Sequence, residues 1–144
     1  MRTTQTLRRN NLAVQYALPR RGVPSAAALR AWARSAASLP ITIRIVDARE
    51  GRRLNREFRK KDYATNVLSF PYGRSGDIVL CHPVIVREAR EQGKSVRAHY
   101  AHLVVHGMLH LRGYAHGKRM EEREIRLLRR FGFRNPYKVE SPGT

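Results

Sequence analysis

Between Ser95 and Arg112 the sequence sets one strong condition on any fold. A helix-length segment is apolar on most sides and yet carries His102, His106 and His110 at successive four-residue steps. A helix with apolar residues nearly all round cannot lie on a surface, so the other elements of the chain must pack around it. Ser95 is placed to cap its start and Gly113 to end it. The segment reads as a central buried helix in a chain of 144 residues, a length that suits one core.

The surrounding shell must form against self-repulsion. Lys and Arg number 29 against 11 acidic residues, for a net charge of +18. Such a balance calls for a polyanion or counterions, and nucleic acid is the partner it points to. With 42% hydrophobic residues a core is attainable, which excludes wholesale disorder and collagen-like structure. Cys81 is the single cysteine, so no internal disulfide can form and a reducing compartment, the cytoplasm, fits. The longest apolar stretch, Tyr100 to Leu111, is broken by histidines and falls short of the roughly 20 residues of a membrane span, so a soluble protein is expected. Arg2, Arg8 and Arg9, with no acid before Asp47, read as a basic start to the domain rather than a targeting leader.

Alternation at Leu12, Val14, Tyr16 and Leu18 predicts a strand that ends at Pro19-Arg-Arg-Gly22. Ser25 caps a helix from Ala26 to Ser38, Ile41 to Val46 is a second strand, and Asp47 caps a helix from Ala48 to Arg59 with Leu54 and Phe58 toward the core. Val67 to Phe70 and Asp77 to Cys81 read as two short strands joined by a glycine-containing loop. Helices follow from Pro83 to Gln92, from Ser95 to Arg112 and from Glu121 to Phe131, before a short polar tail.

His106 and His110, four apart on one helix face, have Cβ atoms about 5 to 6 Å apart, close enough for both imidazoles to bind one metal ion at about 2.0 to 2.1 Å. On a continuing helix His116 would point roughly 240° round from His110, but a left-handed residue at Gly113 can turn the chain back. Three imidazoles without a fourth ligand leave a tetrahedral position open, the arrangement of a catalytic rather than a structural zinc. The spacing equals that of the zinc endopeptidase motif, except that Gly107 stands where the general base belongs and no acid lies between His106 and His116. His102, one turn before His106, can hydrogen-bond a ligand, line the pocket or simply pack. Cys81, at the end of an apolar strand, reads as a small buried hydrophobe.

Arg56, Arg59, Lys60 and Lys61 crowd the end of a helix just before a strand. They suit either the helix dipole or a phosphate backbone. Arg59 can in addition pair bidentately with a phosphate and stabilise developing charge, if the fold brings it to the metal.

Four phrases then make a resemblance specific: Leu54-Asn55 with Phe58-Arg59, Thr65-Asn-Val-Leu-Ser-Phe-Pro71, Gly76-Asp-Ile78, and His106-Gly-x-Leu-His-Leu-x-Gly-Tyr-x-His116. From about Asn11 to Tyr137 the chain closely resembles the YbeY family of bacterial ribosomal RNA maturation endoribonucleases. The resemblance implies that His106, His110 and His116 bind one zinc and that Arg59 serves RNA cleavage. It also implies an α+β fold: one compact domain over residues 1–144, with a small mixed four-stranded sheet packed with about five helices. Ala115 and Asn66 occupy positions where the family often has aspartate.

The expected function is a zinc-dependent, single-strand-selective endoribonuclease acting on small-subunit ribosomal RNA near its 3′ end, with a part in ribosome quality control. Arg56, Lys60 and Lys61 are further candidates for RNA contact. A metallopeptidase and a non-catalytic, zinc-stabilised RNA-binding assembly factor are the rivals. Gly107 argues against the first, and the open ligand position against the second.

Overall fold

A computed structural model describes residues 11–138. The basic start at Arg2, Arg8 and Arg9 and the end of the polar tail lie outside the described residues. The elements run β1 (Leu12–Tyr16), α1 (Ala26–Ala36), β2 (Ile41–Val46), α2 (Ala48–Arg59), β3 (Val67–Tyr72), β4 (Ser75–Cys81), α3 (His82–Glu91), α4 (Val96–Leu111) and α5 (Lys118–Arg130). The predicted caps form: Ser25, Asp47 and Ser95 accept from the backbone N–H groups of Ala28, Glu50 and Ala98.

The four strands form one mixed sheet in the order β1-β2-β4-β3. β1, β2 and β4 are parallel, and β3 returns antiparallel along β4 at the edge. β4 is buried on both faces, which is why Ile78 to Cys81 is an unbroken apolar run rather than an alternation. Ile78 and Leu80 join the core formed with α1, α4 and α5, while Val79 and Cys81 join a smaller cluster with Leu54 and Val84 on the opposite face. α4 is the central helix expected, with Tyr100, Ala101, Val104, Val105, Met108 and Leu109 all fully buried. Burial of each large aliphatic side chain among these contributes roughly 1.5 to 3 kcal/mol.

Three local expectations are corrected. Phe58 is 54% exposed. Only Gly51, Leu54 and Asn55 of α2 are buried, and Phe58 rests edge to face on Phe70 of the edge strand β3. β3 does not stop at Phe70 but continues through Pro71 to Tyr72. An edge strand tolerates proline because its missing N–H would have faced away from the ladder. α5 begins at Lys118, three residues before the predicted Glu121, with Gly117 and no side chain at its cap. Among the described residues no helix is long and apolar enough to cross a membrane.

Candidate functional site

α4 ends where Gly113 takes φ +97° and the Tyr114 N–H reaches back to the Leu109 carbonyl at 3.0 Å. This reversal carries His116 onto the face of His106 and His110. The three ring centroids lie 4.5 Å (His106–His110), 5.2 Å (His106–His116) and 4.2 Å (His110–His116) apart. Each ring offers a nitrogen within 4.8 Å of the other two, a set able to hold a metal ion.

Second contacts on two of these rings decide what they present. The His106 Nδ1–H donates to Glu124 Oε1 at 2.6 Å, and the His110 Nδ1–H donates to the Tyr114 carbonyl at 3.1 Å. A carbonyl and an ionised carboxylate only accept, so both imidazoles, when neutral, carry their proton on Nδ1 and a lone pair on Nε2. The two Nε2 atoms face one another at 3.1 Å. That juxtaposition is repulsive unless a cation or a proton lies between them. A tetrahedral ion with bonds of about 2.0 to 2.1 Å keeps adjacent donors roughly 3.3 Å apart, close to what is found. Burial, then the neighbouring His106 and His116, lowers the pKa of His110 and so favours its neutral form.

Glu124 is the residue that sequence reasoning missed. It is fully buried on α5. Burial alone would raise its pKa, but hydrogen bonds from His102, His106 and Tyr137 outweigh that and hold it at about 2. The His102 Nε2–H donates to Oε2 at 3.1 Å and the Tyr137 hydroxyl donates to the same oxygen. His102 therefore acts on His106 through Glu124. His102, His106 and Glu124 also lie within 4.8 Å of one another, but their facing atoms already satisfy each other. A signal was available, because an acid on the apolar face of α5, among Met120, Leu127 and Leu128, needs a partner.

Two grooves meet at the histidines. One, of about 690 Å³, runs along β3 between the ends of α2 and α4 and is lined by Arg59, Lys61, Tyr63, Ser69 and the three histidines. The other, of about 1260 Å³, lies between the α3–α4 turn, α5 and the segment that follows it, with Lys94, His102, His106, His116 and Tyr137 on its walls. Arg59 anchors one guanidinium nitrogen on the Ser69 carbonyl at 3.2 Å. Arg56 sits near Asp62 at 3.7 Å, and Lys60 turns back to the Glu57 carbonyl of its own helix. Neither lines a groove.

Gly107 packs α4 against the sheet. A Cβ there would stand 3.1 Å from Ile78 Cδ1 and 3.2 Å from Ser69 Oγ, so any side chain at the position of the peptidase base would crowd both. Asn66 Nδ2 donates to Glu88 Oε1 at 2.9 Å, an oxygen that also accepts from the His99 Nε2–H. An aspartate at 66 would face that carboxylate instead. Ala115 is exposed beside His116. Cys81 is buried, as expected.

Fold and site together define a small α+β protein with a three-histidine cluster at the junction of two open grooves. The family model described as Endoribonuclease YbeY matches residues 24–132. A Stenotrophomonas maltophilia protein of that name is 46% identical over 154 residues, covering 92% of this chain and 96% of its own. One from Thiobacillus denitrificans is 50% identical over 139 residues, covering 88% and 95%. A solution structure from Thermotoga maritima shares the fold with a TM-score of 0.58 at 22% identity, covering 92% and 99%. The chain belongs to the YbeY endoribonuclease family.

Proposed function

We propose that the protein is a zinc-dependent endoribonuclease that cleaves single-stranded RNA and matures small-subunit ribosomal RNA near its 3′ end, acting in the cytoplasm as one domain and serving ribosome quality control. One observation carries the reading: three imidazoles and the Arg59 guanidinium open onto the same groove. His106, His110 and His116 hold the zinc. When bound, it supplies a Lewis acid toward a phosphoryl oxygen. Arg59, fixed at one nitrogen by Ser69, offers its remaining donors to the phosphate and stabilises charge as it develops. Lys61 draws the RNA backbone into the groove, and the net charge of +18 gives the long-range attraction to which Arg56 and Lys60 add. Glu124, held in turn by His102, keeps the His106 ring in its ligating orientation.

The test compares metal-stripped with zinc-restored protein on a single-stranded RNA, a duplex RNA and a peptide. Cleavage of the single strand alone, and only after zinc is restored, is the expected result. Cleavage of the peptide, or undiminished RNA cleavage by the stripped protein, would overturn the reading.

A further inference from the structure

We infer that Tyr63 is a stacking platform for an unpaired nucleobase of the RNA that lies in the Arg59 groove; the inference rests on the RNA reading above. Among the described residues the exposed large hydrophobic side chains are Phe58, Tyr63, Tyr72, Phe131 and Tyr137. Four have an account within the chain or lie off the grooves. Phe58 packs on Phe70 with centroids 5.3 Å apart, Tyr137 is held by Glu124 and His102, Tyr72 has contacts of its own, and Phe131 closes α5 outside both grooves. Tyr63 is 54% exposed and lines the groove with Arg59, Lys61 and the histidines. Its ring has no aromatic or cationic partner among the described residues.

The loop that presents Tyr63 is tied to α2 at three consecutive residues. Buried Asn55 accepts from the Lys61 N–H at 3.3 Å and donates its Nδ2–H to the Tyr63 carbonyl at 2.8 Å. Between them, Arg52 grips Asp62 with a fork of 2.8 and 3.0 Å. The exposed ring therefore needs little further ordering of its backbone on binding, which is how an interface keeps affinity. A planar apolar face beside two phosphate-seeking cations matches a nucleotide, whose backbone meets the cations and whose base meets the ring. A base inside a duplex is already stacked and paired and is not free to make this contact. Tyr63 thus favours single strands without reading sequence.

The test is equilibrium binding of the full chain to a fluorescein-labelled single-stranded oligoribonucleotide, followed by anisotropy with chelator present to stop cleavage. Tyr63→Ala is expected to weaken binding about 5- to 150-fold, the equivalent of one lost base stack, while Tyr63→Phe stays within about threefold. The melting temperature and the dependence of affinity on salt should not change with Tyr63→Ala, whereas Lys61→Ala should flatten the salt dependence. An abasic nucleotide moved along the strand should, at one position, weaken binding by the parent and leave Tyr63→Ala unaffected. If Tyr63→Ala binds as tightly as a parent that retains salt-dependent RNA binding, the platform is wrong and the endoribonuclease reading stands. If the parent binds no single-stranded RNA, the functional reading falls and takes the platform with it.

Discussion

Glu124 on α5 and His106 on α4 are joined by a 2.6 Å hydrogen bond from Nδ1–H to Oε1, and this one contact fixes which nitrogen His106 turns toward His110 and His116. Glu124→Gln keeps the shape and removes the charge that favours the Nδ1–H tautomer. Metal affinity should fall about 10- to 100-fold in a chelator competition titration. Unchanged affinity would mean that packing alone orients the ring.

The three histidines should differ in stability while agreeing in metal content. His116 is exposed, so His116→Ala should alter the unfolding free energy of metal-free protein by no more than about 0.5 kcal/mol. His106→Ala leaves a buried carboxylate oxygen without its donor and should cost about 1 to 3 kcal/mol. Each variant should lose the metal by elemental analysis. Full retention by all three would remove the site.

Arg59→Lys preserves charge but cannot make the fork to a phosphate. RNA binding should stay within about threefold and the cleavage rate should drop by roughly tenfold or more at unchanged metal content. A variant that cleaves as fast as the parent would leave Arg59 with only its hydrogen bond to Ser69.

His82 lines neither groove, and its Nδ1 accepts from the hydroxyl of Tyr100, a phenol that burial keeps protonated. Burial lowers the His82 pKa below its ordinary 6.5. The unfolded chain then binds more protons than the folded one below that value, so this stability is fully present above about pH 6.5 and is lost as the pH falls through the folded pKa. Chelated protein should unfold at lower urea at about pH 5.5 than at about pH 7.5, and His82→Gln should shrink the difference. An equal difference in the variant would show that His82 takes up its proton as readily folded as unfolded.

Gly107→Ala gains about 1 kcal/mol of helix propensity and loses more to crowding against Ile78 and Ser69. A net destabilisation of about 1 kcal/mol is expected by urea unfolding. A stabilised variant would mean that the α4–sheet contact has slack.

The sequence alone determined what is local. Spacing of four residues and then six, with a glycine free to turn left-handed between, put three histidines together, because helix periodicity and its termination are written in consecutive residues. The caps at Ser25, Asp47 and Ser95, and the buried character of α4 and of Cys81, were legible for the same reason. Tertiary structure decided how the elements meet. Whether Phe58 entered the core depended on its meeting the edge strand β3 at Phe70, and whether Pro71 belonged to a strand depended on β3 lying at that edge. Arg59 reached the histidine groove because its side chain bonds Ser69 on β3, the strand that packs against α4. Glu124, eight residues beyond the last histidine, found His106 through the packing of α5 on α4. Periodicity could tell that this acid faced inward, but not which donor would meet it, since a crossing of two helices is set by side chains from both.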